Sequence, residues 1–421
     1  MAADNLRQRV VITGLGVVSS TGMGREAFWQ AVLEGRSGVD WIKGFDTADL
    51  YCKIGGEIKG FEPREHIENR DALRGGRFGH FAVASARYAL RDAGLENEPR
   101  GVDPLMIGAV FGTSTAGNGN ISDQIYARYA EHGVRSLALG GGVQMEAHAA
   151  TSHVFIEFGL RGPNTTSGVG CSSGLDSINT AAGFVRNGDA HVMLGGATEA
   201  CLSLFGMGTL CKLGVMTGAN DPPWAAARPY DDTRDGLVLS EGAGAVVLER
   251  ADLAMERGAH IYAEIMGFSS SAEARHLVAP HPGGEELAHA FRRALLSAKI
   301  GADEVDYVCA HGIGNRQYDV AETNAVKQVL GQRAYNVPMS SIKGTTGQPF
   351  APGGCWQVAA ACMTLETGMI APTMNYRVPD PECDLDYVPN RARRARVDTV
   401  MLNSHAFGGS HACLLLRRFV E

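Results

Sequence analysis

Four short loops hold the residues that could do chemistry. The first is Gly170-Cys171-Ser172-Ser173-Gly174, followed by Leu175, Ile178, Ala182 and Val185 at helical spacing and a stop at Asn187-Gly188-Asp189. Cys171 therefore sits at a helix start, where free N–H groups and the helix dipole favour a thiolate; the expectation is a lowered pKa and a nucleophile. The alternative is a buried, inert cysteine. The same residues also fit G-x-S-x-G with Ser172 as a hydrolase nucleophile, but that elbow needs a strong preceding strand and PNTTSGVG is a poor one.

The second loop begins at His311, at the end of the apolar run VDYVCAH, before Gly312 and Gly314. A histidine at a strand terminus can act as a base or hydrogen-bond donor. Asp319 and Glu322 follow as D-x-x-E, and Asp319 reads as a helix cap. The third loop is Lys343-Gly344-Thr345-Thr346-Gly347-Gln348-Pro349, leading into a helix through GGCWQVAAACMTLETG. The fourth, NSHAFGGSHA at 403–412, reads as a hairpin loop whose backbone N–H groups could face an oxyanion.

Two other stretches are set aside. TGLG at 13–16 follows a strand, but Ser19 stands where G-x-G-x-x-G needs its third glycine. DDTRDGLVLSE at 231–241 resembles a calcium loop, yet Thr233 breaks the ligand pattern and Glu241 falls one residue short; a turn and hairpin is expected.

The elements that must position these loops are apolar runs at 10–13, 107–113, 191–200, 244–249, 261–268, 305–311, 337–341, 397–404 and 412–418, with helical patterns at 76–94 and 285–298 between them. Buried strands alternating with helices define an α/β protein. The two halves share a rhythm, consistent with an internal duplication, and divide as 1–255 and 256–421.

The chain has 421 residues with 54 glycines, nearly twice the ordinary share, as expected of many tight loops. A net charge of −8 argues against nucleic acid as a partner. Nine cysteines without a C-x-x-C pair indicate neither a zinc site nor a disulfide framework, and fit a reducing cytosol. No stretch approaches the ~18 apolar residues of a membrane helix, so a soluble, cytoplasmic protein is expected.

The four loops, in this order, resemble those of the β-ketoacyl-acyl carrier protein synthases, thiolase-fold condensing enzymes of fatty acid and polyketide synthesis. VVITGLGVVSSTG is similar to their first strand, ARPYDDTRDGLVLSEGAGAVVLE to their R-P-F-D…G-E-G-A-G segment, GCSSG to their nucleophile turn, VDYVCAHGIGN to V-D-Y-x-x-A-H-G-T-x-T, and NSHAFGG to N-S-F-G-F-G-G. The resemblance implies a duplicated, five-layered α-β-α-β-α core and an acyltransferase (EC 2.3.1). Cys171 would take an acyl group from a carrier-protein thioester, then condense it with a decarboxylating extender. It further implies an oxyanion hole from the N–H groups of Cys171 and Phe407, Phe407 as gate of the acyl pocket, a Lys343–Glu322 ion pair near the histidines, and no cofactor beyond the carrier's phosphopantetheine. The expected partners are an acyl carrier protein and a second subunit, identical or ketosynthase-like.

Three departures stand out. The family's K-S-x-x-G-H becomes a loop ending in Gln348, so an amide replaces the second histidine; it can donate a hydrogen bond but cannot shuttle a proton. Related chain-starting enzymes use Cys-His-Asn. H-G-T-x-T becomes His311-Gly312-Ile313-Gly314-Asn315, which changes the residues expected to hold pantetheine and extender. In the last loop Ala406 replaces glycine and should restrict the loop, and His405 replaces phenylalanine; His405 reads as a surface or satisfied histidine, with a substitute imidazole as the other reading. Phe205, Met207, Gly408 and Gly409 complete the expected substrate-binding set. The alternatives are an acyltransferase without malonyl decarboxylation and a chain-length-factor-like partner subunit, against which the retained Cys171 argues.

Overall fold

The computed structural model describes residues 9–96, 102–136 and 141–421. Its first half supplies strands β1 (Val10–Ser19), β2 (Ile107–Gly112), β3 (Asn164–Ser167), β4 (Val192–Glu199) and β5 (Gly242–Arg250). The second supplies β6 (Ala263–Ala272), β7 (Tyr307–Cys309), β8 (Met339–Ser340), β9 (Thr399–His405) and β10 (Ser410–Arg417). Helices α1 (Arg77–Asp92), α2 (Ala149–Phe158) and α3 (Ser173–Asn187) belong to the first half. Their counterparts are α4 (Glu285–Ala298), α5 (Arg316–Leu330) and α6 (Pro352–Thr367).

The sheet runs β8-β7-β9-β10-β6-β1-β5-β4-β2-β3. Read outward from the centre, the halves are β1-β5-β4-β2-β3 and β6-β10-β9-β7-β8, the same order with each number raised by five. The pairing senses repeat as well: two antiparallel pairs followed by two parallel ones in each half. The halves join through a short antiparallel contact of Val11 and Ile12 with Glu264 and Ala263. This repeated topology is the duplication suggested by the rhythm of the sequence.

Helix placement makes five layers. Helix α1 packs on β1, β5 and β4 on one outer face, and α4 packs on β6 and β10 on the other. Helices α3 and α6 lie between the two half-sheets and touch each other. Strands covered on both faces are near-continuous apolar runs, and all ten residues of β1 are buried, with the polar Thr13 bonded to Glu249 of β5. The two glycines of TGLG serve this packing: a Cβ on Gly14 or Gly16 would collide with the Ala89 or Ser85 carbonyl of α1. They admit a helix, not a nucleotide.

Helix α6 is buried from Pro352 to Leu365, so it has no polar face. Its start meets the start of α3 closely, since a Cβ at Gly174 would strike the Ala351 carbonyl and one at Gly354 the Leu175 amide. That contact sets the loop before α3, with Cys171, against the loop before α6, with Gln348.

Two local expectations need correction. PNTTSGVG does contain a strand, since Asn164–Ser167 pairs in parallel with β2. Its polar residues misled because β3 is the sheet's last strand and three of its four side chains are not buried. Residues 231–241 form no hairpin; the segment docks edge to edge on other loops, with Leu237 bridging Met216 and Leu239 bridging Gln348.

Candidate active site

Cys171 lies in a single tight turn, Gly170–Ser172, immediately before α3, and is 5% exposed. Gln348 Nε2 donates toward its sulfur at 3.5 Å. The backbone N–H groups of Cys171 and Phe407 also point at the sulfur. An acyl carbonyl bonded there would meet two backbone donors, which is what an oxyanion hole requires. Ser404 Oγ donates to the Cys171 carbonyl at 3.0 Å and fixes the turn.

The expected thiolate is not the resting state. Burial pushes the Cys171 thiol up to about 12, with Glu199 adding to the rise; Lys343 pulls it down, as do the two N–H groups. Loss of hydration outweighs the helix start. Ser172 is a poor rival nucleophile: its hydroxyl donates to the carbonyls of Ser404 and Ser410, and none of the described histidines receives it.

His311 follows β7 and is held by its backbone. Its amide and that of Gly312 donate to Glu322 at 2.7 and 2.9 Å, while Lys343 Nζ donates to the His311 carbonyl at 2.5 Å. Glu322 also accepts from Tyr230 Oη at 2.7 Å. Lys343 and Glu322 make no direct contact within 4 Å; each grips the backbone at residue 311, and the carboxylate's charge still acts on the ammonium across the gap. Burial lowers Lys343 to about 8, and Glu322 opposes the fall. The charge of Lys343 acts on both the Cys171 thiol and the His311 ring, which ties the two groups to one centre. Burial first, then Lys343, His405 and His411, hold His311 well below the usual histidine range, so its ring is neutral. Neither ring nitrogen has a hydrogen-bond partner among the described residues.

Asp319 is not the helix cap; Asn315 caps α5 by accepting from the Gln317 amide. Asp319 is fully buried, accepts from the Tyr230 and Ile313 amides, and pairs with Arg234 at 3.2 Å. Arg234 also binds Asp380 at 2.7 Å, so this buried triad anchors the loop carrying His311 and Ile313. Asn315, expected to bind substrate, has its carbonyl oxygen engaged in the cap.

A cleft of about 450 Å³ opens at the sulfur, lined by Cys171, Cys201, Phe205, Leu210, Phe350 and Phe407 among others. Phe205 and Phe407 stand where the acyl pocket was expected. Met207 does not: it is fully buried in the apolar cluster beneath. Ile313 packs in that cluster with Cys171. Gly408 and Gly409 do not line the cleft; their φ angles of +85° and +74° turn the hairpin. Phe407 rests edge-on against Tyr318 and Phe350, with ring centres 5.8 and 6.4 Å away. Ala406 keeps a negative φ, so replacing glycine there strains nothing.

His405 corrects the reading most. It is 1% exposed, neither ring nitrogen has a partner among the described residues, and its ring lies parallel to that of His311. Sequence reasoning also missed Tyr318, Phe350 and Cys201, and it passed over His411 although that residue lies within the fourth loop, NSHAFGGSHA.

A sulfur nucleophile beneath two backbone donors, at the helix start of a duplicated five-layered fold, defines a thiolase-fold acyltransferase. The family model for the N-terminal domain of β-ketoacyl synthases matches residues 7–254, and the model for the C-terminal domain matches residues 262–377. The chain is 42% identical to the tetracenomycin polyketide synthase ketoacyl synthase alpha subunit of Streptomyces glaucescens, over 98% of this chain and 97% of that one. It is 36% identical to 3-oxoacyl-[acyl-carrier-protein] synthase 2 of Synechocystis, over 98% and 99%. Among solved structures, the ishigamide ketosynthase/chain length factor superposes with a TM-score of 0.91 at 31% identity, over 98% of this chain and 100% of that one. A ketosynthase solved with its type II acyl carrier protein superposes at 0.90 and 31%, over 98% and 99%. The chain belongs to the β-ketoacyl synthase family and is a condensing enzyme. No helix among the described residues is long and apolar enough to cross a membrane.

Proposed function

We propose that the protein transfers an acyl group from an acyl carrier protein to Cys171 and condenses it with a carrier-bound extender, in fatty acid or type II polyketide synthesis. Residues 1–255 supply the nucleophile, and 256–421 supply His311, Lys343 and Gln348. The observation that carries this reading is the convergence of Gln348 and the Cys171 and Phe407 amides on one sulfur. In acylation the sulfur attacks the thioester carbonyl, the oxyanion rests on the two amides, and the carrier's thiol leaves with the proton that Cys171 gives up. In condensation the extender loses CO₂, its enolate carbon attacks the acyl carbonyl, and the Cys171 thiolate departs. Both steps balance without a resident cofactor.

Gln348 marks the variant form of the site. Its amide holds the sulfur, and its Oε1 has no partner among the described residues. The second subunit is a further copy of this chain or a ketosynthase-like partner, and the setting is the cytoplasm. Acyl carrier and malonyl carrier together should yield a 3-oxoacyl carrier with one CO₂ per condensation. An acyl-enzyme that forms without CO₂ or elongated product would instead identify an acyltransferase that does not condense.

A further inference from the structure

Four imidazole nitrogens lie buried side by side with nothing to bond. His311 opens the loop after β7 and His405 ends β9; their rings are parallel within 7°, with centres 5.4 Å apart. No ring nitrogen of either residue has a partner among the described residues. A buried polar group left unpaired is costly, and such groups in native proteins generally await a ligand or water. Tyr318 packs its ring against His405, with ring centres 6.0 Å apart, and its hydroxyl donates to the Val278 carbonyl.

His405 is also braced from behind. His411 faces it across the β9–β10 hairpin, with ring centres 4.9 Å apart, and His411 Nε2 lies 3.1 Å from Glu273 Oε1. Both of those side chains are almost fully buried, so the carboxylate fixes the second imidazole and, through it, the position of the first. Gln357 holds the two strand ends in register, donating to the carbonyls of Cys309, Ala310 and Asn403.

We propose that His405 is a catalytic residue: with His311 it forms a two-imidazole recess that receives the thioester oxygen of the carrier-bound extender. This rests on the condensing reading above. As the bond between the extender's α-carbon and its carboxylate breaks, CO₂ leaves and the electron pair moves into the thioester, making an enolate oxygen. The N–H groups of His311 and His405 donate to that oxygen, and no proton is transferred. The enolate carbon then attacks the acyl carbonyl, and the Cys171 thiolate departs. Gln348 is left to serve the sulfur.

The test compares wild type, His405→Phe, His405→Asn and the double variant His405→Phe/Gln348→His. Each is given malonyl carrier protein, with ¹⁴CO₂ release measured, and acyl carrier protein, with acyl-Cys171 read by intact mass. Phenylalanine keeps the ring and removes the donors, so CO₂ release relative to acylation should fall at least tenfold. Asparagine, which keeps one donor, should fall less. An imidazole at 348 would lie beside the Cys171 sulfur and offer the extender another N–H donor, so the double variant should regain most of the loss, which a merely structural defect would not allow. A His405→Phe enzyme with the wild-type ratio, or a double variant no better than the single, overturns the proposal. Wild type that forms acyl-Cys171 but releases no CO₂ overturns both this role and condensation; wild type that forms no acyl-Cys171 overturns the proposed function at its first step.

Discussion

Gln348 Nε2 sits 3.5 Å from Cys171 Sγ, joining two loops 177 residues apart in the chain. The contact exists because α3 and α6 start against each other, their glycines removing the side chains that would separate them. An amide at this point can steady a sulfur that becomes anionic, but cannot exchange protons with it.

Removing that donor should slow acyl transfer. A hydrogen bond to a charged group is worth about 1.5–3 kcal/mol, so Gln348→Leu should acylate roughly 10–100-fold more slowly. Gln348→His restores a donor and should keep condensation or raise CO₂ release. Single-turnover acylation and CO₂ assays check both.

The pH dependence of thiol reactivity follows from burial. With its thiol at about 12, Cys171 is protonated at pH 7, and its thiolate fraction grows about tenfold per pH unit below that value. Iodoacetamide labelling should therefore rise steeply from pH 6 to 8 without a plateau. Above about 8 Lys343 loses its proton, its pull on the thiol goes, and the slope should flatten. Lys343→Met should label more slowly than wild type at pH 7. A plateau reached below pH 7 would show a preformed thiolate.

Arg234 holds two buried carboxylates, Asp319 and Asp380. Arg234→Met leaves buried Asp319 without its cation and Asp380 with only Arg316, 3.7 Å away, and should cost about 3–5 kcal/mol of stability. Urea unfolding measures the loss, and an unchanged midpoint would mean the triad does not anchor the His311 loop.

The cleft beside Cys171 is bounded by Leu210 and Phe205. Leu210→Trp fills part of its ~450 Å³ and should shorten the longest chain carried, with little effect on short-chain acylation. Product chain length by mass spectrometry decides it.

Much of this was legible in the residues. The core strands are continuous apolar runs because helices cover both faces, and Cys171, His311 and Gln348 each sit in glycine-rich loops at element ends. What escaped depended on three-dimensional neighbours. Polar β3 hid because it is the last strand of the sheet. The Cys171 shift was misjudged because spacing shows a helix start but not the depth of burial above it. His405 looked like a surface histidine because the rings of His311 and His411 meet it only after the hairpin and the β7 loop are in place.

The central claim is that Cys171 carries the acyl group, and the most direct measurement is peptide mass spectrometry after incubation with acyl-loaded carrier protein. The account predicts a single acyl adduct on the Cys171 peptide, absent in Cys171→Ala and retained in Ser172→Ala. An adduct on Ser172, or none on Cys171 while acyl carrier is consumed, would contradict it.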